Sequence, residues 1–381
     1  MLLELTPDQE VFREATARFL ADRVPPDVIR RLRDDPAGFP SGYWSAGAEL
    51  GWTSLLTREE HGGGSISGSP LVDLSILAHE FGARAAPGPL AAANVVALAL
   101  SAWGGDAHAE TLDAVLSGMS LATCALGEPG VPGEPAGVTV QVRADGGGVV
   151  LDGTARPVES AARAAHILVT ARVAGTAGFA QVLVPADAAG MTVTPMRSAD
   201  LTRRFGVVQF EGVRLPAAAV VGEFGEVGEQ VERQFQAALA LSCAESVGAM
   251  QTAFDLTVKW AFERYSFGRP LASYQELKHR FADMKMWLEA SHAITDRATA
   301  AVDAGAPEAA ELVSAAKAYI GDYGAELVQD CVQIHGGIGM TFEHDLHFYL
   351  RRVTLNRALH GNPASHRARV TGIFENLKEL A

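Results

Sequence analysis

One stretch of about 100 residues, roughly 121–221, constrains the fold more than any other. Apolar and β-branched residues there come in short bursts: VTVQVRA (138–144), GVVLDG (148–153), HILVTARV (166–173), FAQVLVP (179–185) and MTVTPM (191–196). Turn residues separate them, among them Asp145-Gly146-Gly147-Gly148 and Asp152-Gly153. Bursts of this length bounded by glycine and aspartate predict strands, and so many in so short a span predict one sheet or barrel. The flanks read differently. Before the stretch, Thr6-Pro7-Asp8-Gln9 is an N-cap with proline in the first turn, and Val11, Ala15, Phe19 and Leu20 then share a helical face. Further helical segments fall near 41–50, 71–85, 89–102 and 107–117. After it come four long apolar-periodic segments, roughly 229–265, 272–303, 307–335 and 345–360, and a short one at 364–379. Packed antiparallel, these bury their faces as a bundle. The expectation is an α+β chain: an N-terminal helical domain (1–120), a middle β-sheet domain (121–225) and a C-terminal helical bundle (226–381).

Composition removes several classes of function. The chain has 381 residues, 48% of them hydrophobic, and a formal net charge of −14. That charge argues against nucleic acid and anionic lipid as partners. It also means that any phosphate must be met by a local cationic site. Cys124, Cys243 and Cys331 lie far apart without paired spacing, so neither a disulfide framework nor a structural zinc site is expected. The acidic start lacks the basic and apolar regions of a signal peptide, and no window approaches the ~20 apolar residues of a membrane span. The chain reads as soluble and cytoplasmic.

Two segments carry most of the chemistry. In RYSFGRPLASYQELKHRFADM (264–284), a helix must end near Arg264, because Gly268 and Pro270 interrupt it. An arginine and a small hydroxyl at a helix end can hold phosphate oxygens by charge-assisted hydrogen bonds, with Phe267 offering an apolar face beside them. An arginine in such a place is, taken alone, more often a dipole partner or a surface ion pair. In QIHGGIGMTFEHDLHFYLRR (333–352), Gly336 and Gly337 let backbone approach a ligand closely. A lone glycine pair usually marks only a helix end.

Together the two segments resemble the C-terminal domain of the acyl-CoA dehydrogenase family, which uses FAD to desaturate acyl-CoA thioesters. The similarity extends over essentially the whole chain and implies the acyl-CoA dehydrogenase fold. It implies that Arg264, Ser266, Phe267 and Gln275, with Gln333, Gly336 and Gly337, contact the adenosine and pyrophosphate end of FAD, ahead of a helix carrying the family's Arg351. Within the family these contacts are made to the FAD of a neighbouring subunit.

The remainder of the family's site is eroded. Its Thr/Ser-Glu-Pro-Gly segment becomes Gly127-Glu128-Pro129-Gly130, and Gly133 stands in place of a serine. In DGTARPVE (152–159), Pro157 replaces the tryptophan that meets the flavin and Glu159 replaces a hydroxyl; an anionic Glu159 aimed at the flavin would oppose hydride acceptance. Of the family's two positions for the catalytic base, one aligns with His360 and the other with Ala238. Glu245, one helical stretch beyond Ala238, is a weak catalytic candidate about 10 Å further along at 1.5 Å per residue. A structural pairing with a basic partner across a subunit contact is the plainer reading. His360 has the same two readings: proton acceptor, or packed and hydrogen-bonded imidazole. The histidines of FEHDLHF (342–348) have ligand-like spacing without a third ligand, so no metal is expected. HGGG (61–64) lacks the Lys-Ser/Thr of a P-loop.

This erosion is similar to that of the base-lacking subunit in heterotetrameric (α2β2) bacterial steroid side-chain acyl-CoA dehydrogenases. The resemblance therefore implies a subunit that supplies the ADP-side clamp while a second acyl-CoA dehydrogenase subunit supplies the base for a bulky acyl-CoA. The alternatives are a self-sufficient homo-oligomer using Glu245 and a non-catalytic scaffold subunit.

Overall fold

The computed structural model describes residues 4–379. Helix α1 (Pro7–Arg23) begins as its sequence predicts, with a capping box in which Gln9 N donates to Thr6 Oγ1 (3.3 Å) and Thr6 N donates to the Gln9 side chain (3.0 Å). The buried face differs from the expected one. Val11 is 65% exposed, whereas Gln9, Thr16 and Leu20 are buried. Gln9 goes inward because its amide donates to Asp73 Oδ1 at 2.7 Å, a contact that apolar periodicity does not register. Helix α2 (Pro26–Leu32) was not expected; two turns are too short to establish a period. Then follow α3 (Tyr43–Glu49), α4 (Pro70–Ala83), α5 (Leu90–Trp103) and α6 (Ala109–Leu116).

The middle of the chain is an eight-stranded sheet. Its strands are β1 (Ala122–Ala125), β2 (Gln141–Asp145), β3 (Gly148–Glu159), β4 (His166–Val173), β5 (Phe179–Pro185), β6 (Met191–Met196), β7 (Phe205–Pro216) and β8 (Val220–Gly225). The order is β6-β7-β3-β2-β4-β5-β8, with β1 pairing β4 in parallel. β4 and β5 are buried almost throughout, which explains their continuous rather than alternating apolar pattern. β7 adds a twelve-residue strand that none of the sequence bursts marks, because its polar residues interrupt the apolar signal.

The C-terminal part consists of α7 (Gly228–Glu263), α8 (Gln275–Asp303), α9 (Ala309–His335), α10 (Leu346–Ala358) and α11 (Pro363–Glu379). α7, 36 residues long, is the spine. Where α4 crosses it the backbones touch: a Cβ on Gly82 would lie 1.8 Å from Glu245 O, and one on Gly248 would lie 2.0 Å from His79 O. One hydrophobic core runs through α1, α4, α7, α8, α9 and α10, so helices from both ends of the chain share it, while the sheet has its own. Buried glutamines fasten sheet to spine: Gln181 of β5 and Gln234 of α7 exchange amide hydrogen bonds of 2.7 and 2.8 Å. The sheet thus stands over α5, α7 and α10, and the site lies in that seam.

Candidate active site and cofactor clamp

Two recesses meet in the seam and share Cys124, Pro157, Leu359 and His360. On the helix side, Leu90, Ala91 and Val95 of α5 face Ala238, Leu241 and Glu245 of α7, with Asn356 of α10 and Arg203 closing the end. On the sheet side the walls come from residues 124–128, 137–140 and 155–158 and from Thr170. Ala238 and His360, far apart in sequence, both line the helix-side cavity.

The end of that cavity is a cluster of two guanidinium groups and three carboxylates. Arg203 forks onto Glu159, with Nη2 donating to Oε2 at 2.7 Å and Nε to Oε1. Arg203 Nη1 also donates to Glu245 Oε2 at 3.0 Å. Arg352, completely buried, donates to Glu245 Oε1 (2.8 Å), Asp200 Oδ2 (2.6 Å), Thr202 Oγ1 (2.8 Å) and the carbonyls of Ala85 and Ala86. Asn356 Nδ2 completes Glu245 with a 2.8 Å bond to Oε2. Burial alone would raise the Asp200 carboxyl, but the Arg352 guanidinium overrides it and holds Asp200 below its ordinary value. Every charge in the cluster has a directed partner, the condition under which charged groups tolerate burial.

Glu245 therefore pairs with basic partners, as the plainer reading expected, but within its own chain rather than across a subunit contact. Its two oxygens accept from three donors, Arg203, Arg352 and Asn356. Glu159 likewise turns into the arginine fork and lines the helix-side cavity, not the sheet-side recess.

His360 sits on the wall common to both recesses, in a left-handed backbone conformation (φ 56°). Burial, reinforced by Lys317 and Arg203, pushes its pKa down to about 3, so the ring is neutral and a very weak base. The turn that carries it is held from behind. Buried Lys317 donates to the carbonyls of Asn356 (2.7 Å) and Gly361 (3.2 Å), and His366 Nε2 donates to His360 O (2.9 Å).

The second constellation lies at the other end of α7. Tyr265–Ser266 and Arg269–Pro270 form a minimal hairpin whose tip is Phe267-Gly268; Phe267 is 98% exposed at φ 49°. Tyr274 Oη donates to Ser266 O at 2.7 Å and fixes the hairpin to the start of α8, where Gln275 is exposed. Arg264 lies over the Trp260 ring (5.9 Å), and Trp260 stacks on His335 (5.3 Å between centroids, 17° between planes). This stack brings Arg264 to the end of α9, where Gln333 is exposed and Gly336 (φ 67°) and Gly337 follow. A Cβ on either glycine would point into open space, and among the described residues Arg264 has no carboxylate partner.

Family models for the acyl-CoA dehydrogenase N-terminal domain (residues 6–118) and C-terminal domain (residues 229–372) match, between them, more than half of the chain. The chain belongs to the acyl-CoA dehydrogenase family. It is 26% identical over 361 residues to acyl-CoA dehydrogenase IpdE2 of Mycolicibacterium smegmatis, covering 94% of this chain and 96% of that one. Among solved structures, a Tcur3481–Tcur3483 steroid ACAD variant is similar with a TM-score of 0.86 at 24% identity, over 97% of this chain and 98% of that one. The ChsE4–ChsE5 complex from Mycobacterium tuberculosis matches with a TM-score of 0.87 at 22% identity, over 98% and 99%. At such identities these two structures speak for the fold: helical domain, central sheet, helical domain.

FAD is the cofactor of acyl-CoA dehydrogenases, and the residues here fit it at one end only. The open faces of Gly336 and Gly337, the exposed Phe267 and the Arg264 guanidinium suit a nucleotide tail. The sheet-side recess is different. Gly127 adopts φ 89°, and a Cβ there would come within 2.7 Å of Ala136 O, so the hydroxyl residue usual at this position is excluded. Glu128 N and Ala136 N are spent on each other's carbonyls (both 2.8 Å), leaving fewer donors for a flavin ring. Among the described residues no three His, Cys, Asp or Glu gather into a metal-holding group, and no helix is long and apolar enough to cross a membrane.

Sequence reasoning missed Arg203, Asp200, Arg352 and Asn356. One signal was available: Arg352 lies three residues after Tyr349 and four before Asn356, on the buried face of α10. An arginine on a buried helix face predicts an internal ion pair.

Proposed function

We propose that this chain is the base-lacking subunit of a hetero-oligomeric, FAD-dependent acyl-CoA dehydrogenase. One observation carries the reading: neither base position bears an acid, being Ala238 and a neutral His360, and both carboxylates that reach the same cavity are held by arginines. Removing an α-proton requires a free base within about 3 Å of it. FAD, when bound, supplies the acceptor for the β-hydride. The contribution of this chain is positional. Arg264 and Ser266 meet the pyrophosphate, Phe267 and Gln275 the adenosine, and Gln333, Gly336 and Gly337 close against the same nucleotide. A second acyl-CoA dehydrogenase subunit, most simply as α2β2, provides the carboxylate and the ring pocket. Relatives whose names carry steroid ACADs and paired subunits support a bulky, steroid-derived acyl-CoA as the substrate class. Three free cysteines are in keeping with a reducing cytoplasm.

The test is co-expression with the partner subunit, followed by native mass and flavin per particle. The lone chain should be nearly colourless and inactive and the complex yellow and active. Arg264→Ala in the complex should lower flavin occupancy at least tenfold at limiting FAD, in line with the loss of a charge-assisted contact worth about 1.5–3 kcal/mol. Unchanged occupancy points to scaffolding instead, and stoichiometric flavin with turnover by the lone chain overturns the reading.

A further inference from the structure

An acyl thioester whose α-carbon lies between Ala238 and His360 enters the helix-side cavity, whose wall continues along Leu90, Ala91, Val95 and Leu241. In this chain that path is short. The helix-side cavity holds about 60 Å³, room for only a few water molecules, against the roughly 300–1,000 Å³ of ordinary ligand pockets. It stops at Glu159, Arg203 and Glu245. We infer that the Glu159–Arg203 pair, backed by Glu245, is a plug that determines specificity by exclusion: this chain accepts no acyl chain in its own cavity.

The physical reason is an imbalance. Each methylene buried in an apolar pocket returns about fourfold in affinity. To lengthen the pocket, a chain must push Arg203 away from Glu159 or Glu245, stranding a buried charge whose loss outweighs several methylenes. Nor can the cluster swing aside. Arg203 is forked on one carboxylate and bonded to a second, and Glu245 is tied to Arg352 and Asn356. The inference deepens the partner-base reading, because a subunit without a base has no use for a substrate. The two can still fail separately: flavin content reports on the clamp, and acyl-chain dependence reports on the plug.

The experiment measures binding of acetyl-, butyryl-, hexanoyl- and octanoyl-CoA to the full chain by equilibrium dialysis. Wild type should vary less than about threefold across the series. Arg203→Ala/Glu159→Ala removes one charge of each sign, leaves Glu245 its other two partners and opens the cavity. Its affinity should climb about three- to fourfold per added methylene until the space fills. Steep dependence in wild type overturns the plug, and so does a flat series in the folded double variant. If the double-alanine chain does not fold, Arg203→Leu/Glu159→Ala, which keeps apolar bulk, is read in the same way.

Discussion

Arg352 shows how much of the seam rests on single side chains. Fully buried, it satisfies two carboxylates, a hydroxyl and two carbonyls from three separate stretches of chain. Arg352→Met keeps most of its volume but strands Asp200 and weakens the hold on Glu245. Breaking one side of a buried ion pair costs about 3–5 kcal/mol, and that is the loss expected in urea denaturation. Adding Asp200→Asn should return part of it; a loss below about 1 kcal/mol means that the cluster does not hold the seam. The proposed clamp residues contrast with this. Arg264, Phe267 and Gln275 fall within twelve consecutive residues, so a local motif suffices to find them. The cluster is drawn from positions 159, 200, 203, 245, 352 and 356, and no local pattern joins these.

Between elements, the α4–α7 crossing decides where Glu245 can be. Gly82 and Gly248 let the two backbones touch at the level of Glu245, and its carbonyl is itself the atom that a Cβ on Gly82 would strike. Gly248→Ala forces the helices apart or strains them. The expected loss is about 1–3 kcal/mol by overpacking, read as a lower Tm. Gly372, inside α11 with no atom of the described residues within 4 Å of a Cβ, is the internal control: Gly372→Ala should gain up to about 1 kcal/mol from helix propensity alone. Equal effects at both sites would refute the close-crossing argument. Helix periodicity announces α4 and α7 separately; which glycines meet is a property of the pair.

Across the whole molecule, acid should find a common weakness. Burial holds His360 and His292 down to about 3, and His347 and His366 down to about 4, from an ordinary value of 6.5. All four are neutral in the fold, whereas the unfolded chain takes up protons as pH drops through 6.5. Their contribution is thus fully present above about pH 6.5 and is lost as pH falls toward 4. The lowered Asp200 acts in the same sense, its share going last, and the burial-raised Glu159 opposes it. Urea midpoints at pH 7.5, 6.5, 5.5 and 4.5 should decline steadily, less steeply in His360→Gln. A flat wild-type profile contradicts this account. These histidines come from three helices and a turn and share only the loss of water, which composition does not express.

By itself the amino-acid sequence determined the order of helical, sheet and helical segments, because hydrophobic period and turn chemistry are local properties of a chain. It also supplied the proposed cofactor clamp, whose parts fall in two short segments, 264–275 and 333–337, and the identities of Ala238 and His360, neither of them an acid. Only the tertiary structure decided what became of Glu159 and Glu245. A carboxylate in a sequence has no direction, and whether it faces a flavin, a substrate or an arginine depends on side chains hundreds of residues away. Here two arginines claim both in the buried seam, and that pairing closes the end of the cavity.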